Sequence, residues 1–295
     1  MPYFKSSLVV LSLLAALVSG TLAQAAEDTP VADEKYTLTY KFQLGEVLRY
    51  RVEHSADIRS TMEGTSQQAE TKSESIKAWK VTDVLPNGDM EFVHLVEVVR
   101  MSNRVPNRAT VKFDSETDTD PPAGFEQVAR AVGVPLSVVR ITPTGEIVSR
   151  EEKHPQPPVT DDMPITLRLP DDPVAIGDEW DVSYDVPAES KSGAALQVRT
   201  RRVCTLESVK NGIATIAVKY QILTPVSAFV ESNLVERLTK GTVRFDIETG
   251  RIAWQSHEVD RRILGFAGDS SVLHHESRME ERLLKANERL ARKPK

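Results

Sequence analysis

The 295-residue sequence carries a formal net charge of −6 and contains one cysteine. The mild acidity argues against a general nucleic-acid binder, because such proteins usually present a basic face. The single cysteine, Cys204, excludes an intramolecular disulfide. No histidine stands in a recognisable relation to it, so we predict a small buried hydrophobe and not a nucleophile.

The first 25 residues have the pattern of a signal peptide. Lys5 supplies a positive start, residues 8–18 form an apolar run, and Ala23-Gln24-Ala25 fits a small-x-small cleavage site. We expect cleavage after Ala25 and export to the periplasm or the extracellular space. The apolar run is too short to cross a bilayer, which takes about 20 residues. No later stretch is apolar enough, so the protein is predicted not to span a membrane.

After a loose arm at residues 26–35, two alternating runs meet at Gly45-Glu46. A period of two with one apolar face is typical of half-buried β-strands. The residues predicted to point inward are Tyr36, Leu38, Tyr40, Phe42, Leu44, Leu48, Tyr50 and Val52. In the second half, Trp180 follows Gly177-Asp178 as Leu48 follows Gly45-Glu46, and we predict equivalent core positions for Trp180 and Leu48.

Three turn motifs recur in the same order in both halves. An Asn-Gly pair between apolar runs is a strong hairpin signal. The paired motifs are Gly45-Glu46 with Gly177-Asp178, Asn87-Gly88 with Asn211-Gly212, and Thr144-Gly145 with Thr249-Gly250. We interpret the shared order as a duplication, with a first β repeat at residues 36–160 and a second at 161–284. The boundary near Thr160 lies in a proline-rich connector.

The predicted fold class is mainly β, with two duplicated, antiparallel, curved β-sheet units, one of them covered by an α-helix. A C-terminal helix or extended tail follows. Residues 278–292 fit a helix with Met279 and Leu283 on its apolar stripe, although the alternation before residue 278 also fits a strand. Residues 285–295 form a basic tail, which is predicted to be a solvated end in preference to a contact with anionic envelope components.

A helix is predicted at residues 123–132, where apolar side chains recur at helical spacing before Gly133 and Pro135. The first half also carries two apolar residues on the face opposite its core. We expect this helix to cover that face and to enclose a hydrophobic ligand. The predicted ligand-binding residues are Val93, Leu95, Phe125, Val128, Val132 and His94.

An acidic loop precedes this helix. Its carboxylates alternate with other residues at Asp114, Glu116, Asp118 and Asp120, and calcium prefers such oxygen ligands. A helix-loop-helix calcium site needs glycine and glutamate where this sequence has Thr119 and Phe125. A solvated loop is therefore favoured over a calcium site, and no other cofactor is predicted.

The histidines give no clear site. His94 falls on the core face, where a hydrogen-bonded structural role is favoured over a ligand role. His274 and His275 are adjacent, and on a strand their rings would point to opposite faces. They are therefore predicted not to share one metal ion.

The sequence contains no serine-hydrolase elbow, zinc-protease motif, phosphate loop, dinucleotide fingerprint or Cys-x-x-Cys. Our leading hypothesis is a non-enzymatic envelope protein that binds a hydrophobic ligand or an envelope component. The first alternative is a metal-dependent or hydrolytic enzyme acting on envelope polymers through the acidic loop and His94. The second alternative is a purely structural scaffold.

The sequence resembles exported bacterial proteins that carry a domain-of-unknown-function label. The resemblance rests on Tyr36–Glu46, Ala78–Val81, Gly124-Phe125 with the following helix, and Gly241–Arg251. It implies no established activity. The expected architecture is also similar to that of LolA-like lipoprotein carriers, which hold lipid between a curved sheet and its helices, although no motif of this chain matches theirs.

Overall fold

The computed structural model describes residues 34–155, 166–285 and 288. The predicted signal peptide, most of the N-terminal arm, the boundary near Thr160 and most of the basic tail lie outside these residues. The described residues from 34 onward belong to one compact unit. None of the helices within them is long and apolar enough to cross a membrane.

The first half consists almost entirely of strands. Its elements are β1 (Lys35–Tyr36), β2 (Val47–Met62), β3 (Thr65–Val84), β4 (Met90–Arg104), β5 (Val111–Asp114), α1 (Glu126–Ala131), β6 (Pro135–Ile141) and β7 (Ile147–Glu152).

The second half has a similar content. Its elements are β8 (Val174–Ala175), β9 (Glu179–Glu189), β10 (Ala195–Lys210), β11 (Ile213–Ile222), α2 (Ala228–Leu234), a 3-10 helix (Val235–Arg237), β12 (Lys240–Asp246), β13 (Arg251–Leu264) and β14 (Val272–Leu283).

Twelve strands form one antiparallel sheet in the order β7-β6-β4-β3-β2-β14-β13-β12-β11-β10-β9, with β5 paired to β4. β1 and β8 form a separate two-stranded ladder. β14 lies between β2 and β13 and so joins the two halves. The predicted mainly β, antiparallel fold is confirmed.

The turn motifs occupy matching places in the two halves. Gly45 N donates a 3.1 Å hydrogen bond to Val81 O, and Gly177 N donates a 2.7 Å bond to Leu206 O, in each case linking the corner to the next strand. The Asn-Gly pairs lie between β3 and β4 and between β10 and β11. The Thr-Gly pairs lie between β6 and β7 and between β12 and β13. This correspondence supports the duplication, which stays our interpretation.

One hydrophobic core is shared by both halves. Its fully buried members come from both ends of the sequence, including Leu48, Trp79, Phe92, Leu206, Ile216, Val243 and Phe245. Cys204 belongs to this core, and burial raises the pKa of its thiol to about 12. The prediction of a small buried cysteine is therefore confirmed.

The segment at residues 37–44 runs between the two halves without joining the large sheet. Tyr40 N donates to Pro143 O at 2.7 Å and Lys41 N donates to Gly250 O at 3.1 Å, so its backbone bonds to the two Thr-Gly turns. A Cβ atom added at Gly250 would lie 2.5 Å from Lys41 N, which explains the glycine at that turn.

The side-chain alternation predicted for this segment is confirmed in part. Leu38, Tyr40 and Phe42 are buried in the shared core, as expected. Leu44 is 70% exposed, so its inward assignment was wrong. The chain turns at Gly45, which has a φ of +80°, and this turn carries Leu44 away from the core.

Trp180 does not have the enclosed position predicted for it. Leu48 is buried, but Trp180 is half-buried at the margin of the core, and its Nε1 donates to Arg168 O at 3.0 Å. β9 is the last strand of the sheet and has only β10 as a neighbour. An edge strand cannot enclose a side chain as β2 encloses Leu48, because β2 has strands on both sides.

The helix predicted at residues 278–292 is wrong where the structure describes it. Residues 272–283 form strand β14, which pairs with both β2 and β13. Met279 and Leu283 are four residues apart, and this spacing places them on one face of a helix and also on one face of a strand. The backbone of residues 272–283 is a strand because it forms hydrogen bonds with a neighbouring strand on each side, β2 and β13.

The two faces of the large sheet differ in chemistry. The inner face, which carries Leu48, Trp79 and Ile216, holds the shared core and both helices. The outer face carries alternating rows of charge on β3, β2 and β14. One row contains Glu74, Glu53 and Glu280, and a neighbouring row contains Arg51 and Arg282.

Candidate functional site

The helix α2 was not predicted from the sequence, although its signals are present. Ser227 is the N-cap, and its side chain accepts a 3.4 Å hydrogen bond from Val230 N. Val230 and Leu234 are one helical turn apart, and both are buried against Val186 and Val198. This packing seats the helix on the inner face of β9 and β10.

The opposite flank of α2 is attached to the middle of the sheet. Glu231 accepts two hydrogen bonds from Arg261 of β13, at 2.9 and 2.7 Å. The 3-10 helix that follows buries Val235 in a second apolar cluster. The other fully buried members of that cluster are Val259, Ile263 and Leu273.

A hydrogen-bonded turn between β13 and β14 closes one end of this region. Ser271 N and Ser271 Oγ both donate to Gly268 O, at 2.8 and 2.6 Å, and Ala267 N donates to Ser271 Oγ at 2.8 Å. These bonds fix the turn and direct Phe266 against the apolar cluster.

Together, α2, the 3-10 helix and the turn between β13 and β14 form a helical cap over the inner face of β2 and β14. A cavity of about 460 Å³ lies beneath this cap. We call it the α2 pocket. Its lining is mainly apolar and comprises Ile58, Phe229, Val235, Phe266, Ala267 and Leu273, with Lys191, Ser232, Asn233, Glu236 and His275 as polar members. Pockets for small molecules typically measure about 300–1,000 Å³ and combine apolar walls with a few polar groups.

His275 is the deeply buried polar group of the α2 pocket. The residue is 2% exposed, and its Nε2 has no hydrogen-bond partner within the described residues. Burial lowers the pKa of His275, so the imidazole is neutral near pH 7. Leaving such a group unpaired costs about 1–3 kcal/mol, so a binding partner for Nε2 would stabilise the pocket.

The rim of the α2 pocket carries both signs of charge. Lys191 comes from the β9–β10 turn and Glu236 from the 3-10 helix, and both side chains are exposed. The charge of Glu236 acts on His275 and on His54 of β2. It opposes the larger effect of burial, which lowers the pKa of both imidazoles.

The helix of the first half, α1, is shorter than predicted. It covers the inner face of the sheet, whereas the prediction placed it on the face opposite the core. Gly124 has a φ of +93°, so α1 begins only at Glu126. The predicted apolar side of the helix packs on Val96, Val99, Met101 and Phe113. A bulge at Glu97 of β4 turns Val99 and Met101 inward, to the same face as Val96.

Val93 and Leu95 lie on the outer face, opposite Lys80 and Ala78. The expectation that α1 covers Val93 and Leu95 was therefore wrong. Phe125, Val128 and Val132 contribute to the α1 cluster, but none of the predicted ligand-binding residues lines the α2 pocket.

The acidic loop is occupied by internal contacts. Asp114 Oδ2 lies 3.1 Å from Arg100 Nε, and Glu116 Oε2 accepts a 2.7 Å bond from Arg100 Nη2. Asp118 Oδ2 accepts a 2.8 Å bond from Asp114 N. Asp120 is exposed. A calcium ion would compete with these contacts. The solvated loop stays the favoured prediction, with a calcium site as its untested alternative.

His94 lies on the inner face between Trp79 and Ser137. Burial, with smaller effects of the charges on Lys77 and Arg150, lowers its pKa to about 3. His94 Nδ1 has no hydrogen-bond partner in the part of the chain that the structure describes. The acidic loop meets β4 at Arg100, about 20 Å further along the strand, so the loop and His94 do not form one catalytic site.

The adjacent histidines point to opposite faces, as predicted. His274 Nε2 lies 2.8 Å from Asp260 Oδ1 and 3.6 Å from Glu276 Oε1 on the outer face, whereas His275 is buried on the inner face. Within the described residues, Asp260, His274 and Glu276 form the one group with three potential metal-binding atoms within 4.8 Å. Asp260 is exposed, and His274 and Glu276 are half-buried.

Two partly buried histidines, His94 and His257, predict a loss of stability in acid. Burial lowers the pKa of His94 to about 3 and that of His257 to about 4, against an ordinary value of 6.5. Below pH 6.5 the unfolded chain takes up protons that the folded chain does not, so the free energy of unfolding should fall as the pH falls. The expected loss by pH 5 is about 2 kcal/mol for each of these histidines.

Urea denaturation at pH 7, 6 and 5 would measure this slope. His94→Leu should make the profile flatter, because it removes one of the titrating groups. An unchanged stability between pH 7 and pH 5 would contradict the prediction.

No family model and no curated protein sequence matches this chain. Among solved structures, a lipovitellin structure concerned with lipid–protein interactions has a TM-score of 0.48 and 14% sequence identity. The match covers 86% of this chain and 27% of that chain, so this protein spans about a quarter of the lipovitellin length.

Two further solved structures are more distant. DynF from the dynemicin biosynthesis pathway of Micromonospora chersina has a TM-score of 0.25 and 8% identity, and the match covers 90% of this chain and 92% of DynF. A DUF1329 family protein from Desulfovibrio piger has a TM-score of 0.13 and 11% identity, with 78% and 83% coverage. The resemblance to LolA-like carriers stays a prediction.

Proposed function

We propose that this exported protein binds a hydrophobic ligand in the α2 pocket without changing it chemically. The observation that carries the proposal is a cavity of about 460 Å³ with mainly apolar walls between the helical cap and the sheet. An apolar group that enters this space leaves water, and each buried methylene group contributes about 0.8 kcal/mol to binding.

Two larger depressions in the described residues are more polar. One of about 910 Å³ is lined by charged side chains that include Arg51, Glu53, Glu74, Arg100 and Glu280. Another, of about 700 Å³, is lined by Glu179, Arg201, Lys219, Lys240 and Glu258 among others. Neither offers an apolar chain the surroundings of the α2 pocket.

The size of the α2 pocket sets a limit on its ligand. Its volume lies toward the lower end of the range of small-molecule sites. We therefore propose a single apolar chain as the bound group. A carrier or sensor of such a molecule fits this geometry better than the scaffold hypothesis, because a scaffold has no need of a cavity beneath its cap.

Blocking the α2 pocket should abolish binding. Ser232 lines the pocket from α2, and Ser232→Trp would fill it with an indole ring. Ser270→Trp is the matched control, since Ser270 is exposed in the neighbouring turn and does not line the pocket. Titration with Nile red, a neutral apolar dye, should show one saturable site whose affinity falls at least tenfold in Ser232→Trp but not in Ser270→Trp.

Two results would contradict the proposal. One is the absence of saturable dye binding to the unmodified protein. The other is equal binding by both variants, which would place the dye elsewhere. Thermal unfolding of Ser232→Trp should be measured in parallel, so that a loss of binding is not confused with a loss of folding.

A further inference from the structure

The polar groups of the α2 pocket specify more than an apolar chain. His275 lines the pocket, and its buried Nε2 has no hydrogen-bond partner within the described residues. Buried polar atoms are normally hydrogen-bonded, so a molecule that enters the pocket with a matching polar group would supply the partner that this atom lacks. A neutral imidazole nitrogen pairs with a hydroxyl group or with an ester or acid carbonyl group. A ligand made only of hydrocarbon would leave this atom unpaired.

The rim adds a second requirement. Lys191 and Glu236 face the same cavity, and neither side chain forms an ion pair or a hydrogen bond within the described residues. The two residues are held on different elements, the β9–β10 turn and the 3-10 helix, and they do not pair with each other. A head group with an anionic part near Lys191 and a cationic part near Glu236 would pair both charges.

We propose that the ligand is a single-chain lipid with a zwitterionic head group. The acyl chain would occupy the apolar part beside Ile58, Phe266 and Leu273. A hydroxyl or ester oxygen next to the chain would bond to His275 Nε2, and a phosphate and an ammonium group would pair with Lys191 and Glu236. This inference rests on the proposed function, since it requires that the α2 pocket binds an apolar chain.

Displacement of Nile red tests the head group separately from the chain. The competitors are 1-palmitoyl-lysophosphatidylethanolamine, palmitic acid and hexadecylamine, which share a chain length and differ in charge. The zwitterionic lipid should displace the dye at a concentration at least tenfold lower than either of the others. Glu236→Gln and Lys191→Gln should each reduce this advantage to less than threefold, while Lys210→Gln, at an exposed hairpin end, should leave it unchanged.

The role of His275 has its own test. His275→Phe keeps a ring of similar shape but removes both ring nitrogens. It should lower the affinity for the zwitterionic lipid at least fivefold and leave the affinity for the dye unchanged. His275→Gln, which retains a hydrogen-bonding side chain, should recover most of the affinity. Equal displacement by all three competitors would overturn the zwitterion inference, whereas failure of Nile red to bind would overturn the proposed function.

Discussion

Trp79→Ala should lower the free energy of unfolding by about 3–5 kcal/mol. Trp79 is 1% exposed and stacks on Phe92 with ring centroids 4.8 Å apart. Tyr50 and Phe42 lie at 5.4 and 6.0 Å from the same indole ring. Truncation removes the transfer energy of the indole and leaves a cavity among three aromatic neighbours, so little relaxation is available.

Trp180→Ala is the matched control for this change. Trp180 is half-buried on an edge strand, so its truncation should cost clearly less than that of Trp79. Urea unfolding followed by circular dichroism should show one transition for the unmodified protein, since both halves contribute to one core. Equal losses in the two variants would contradict the assigned burial. Two transitions, with only one shifted by Trp79→Ala, would contradict the shared core.

The strands were predictable because their signals are local. Alternation placed Leu38, Tyr40 and Phe42 inward, and the structure buries all three. Asn211 and Gly212 both have a positive φ, 51° and 75°, as the predicted tight hairpin requires. The residues and the turn lie within a few positions of each other, so the sequence pattern alone decides the conformation.

The α2 pocket was not predictable in the same way. Its walls come from Ile58, Phe229, Val235, Phe266 and Leu273, which are distant in sequence. They meet because β14 inserts between β2 and β13, and no local pattern indicates that pairing. The bulge in β4 is a second example, because one extra residue changed which side chains α1 could reach.

The C-terminal strand shows how a non-local contact overrides a local one. In a helix, Glu281 would lie next to Lys285, one turn further along the chain. It pairs instead with Lys77 of β3, with Nζ and Oε2 2.7 Å apart. Both side chains are largely buried, with 13% of Lys77 and 5% of Glu281 exposed. The Lys77 ammonium also lies 5.1 and 4.7 Å from the ring centroids of Tyr50 and Trp79.

Removal of either partner from this pair should be costly. Glu281→Met would leave the Lys77 ammonium group in an apolar site with only aromatic faces as partners, and Lys77→Met would leave a buried carboxylate unpaired. Breaking a buried pair in this way costs about 3–5 kcal/mol. Thermal and urea unfolding of each single variant would measure the loss.

The double variant separates the ion pair from the packing of the two side chains. Replacement of both charges by methionine removes the desolvation penalty together with the attraction, so Lys77→Met with Glu281→Met should be more stable than either single variant. Additive losses would mean that the two residues act independently and that their contact contributes nothing. If the double variant regains the stability lost in the single variants, then burial of apolar side chains is what mainly holds β14 near β3 across β2. The two charges would then determine which residues of the two strands meet. On that basis the ion pair specifies the register at which the last strand joins the two halves, and the apolar neighbours supply the stability.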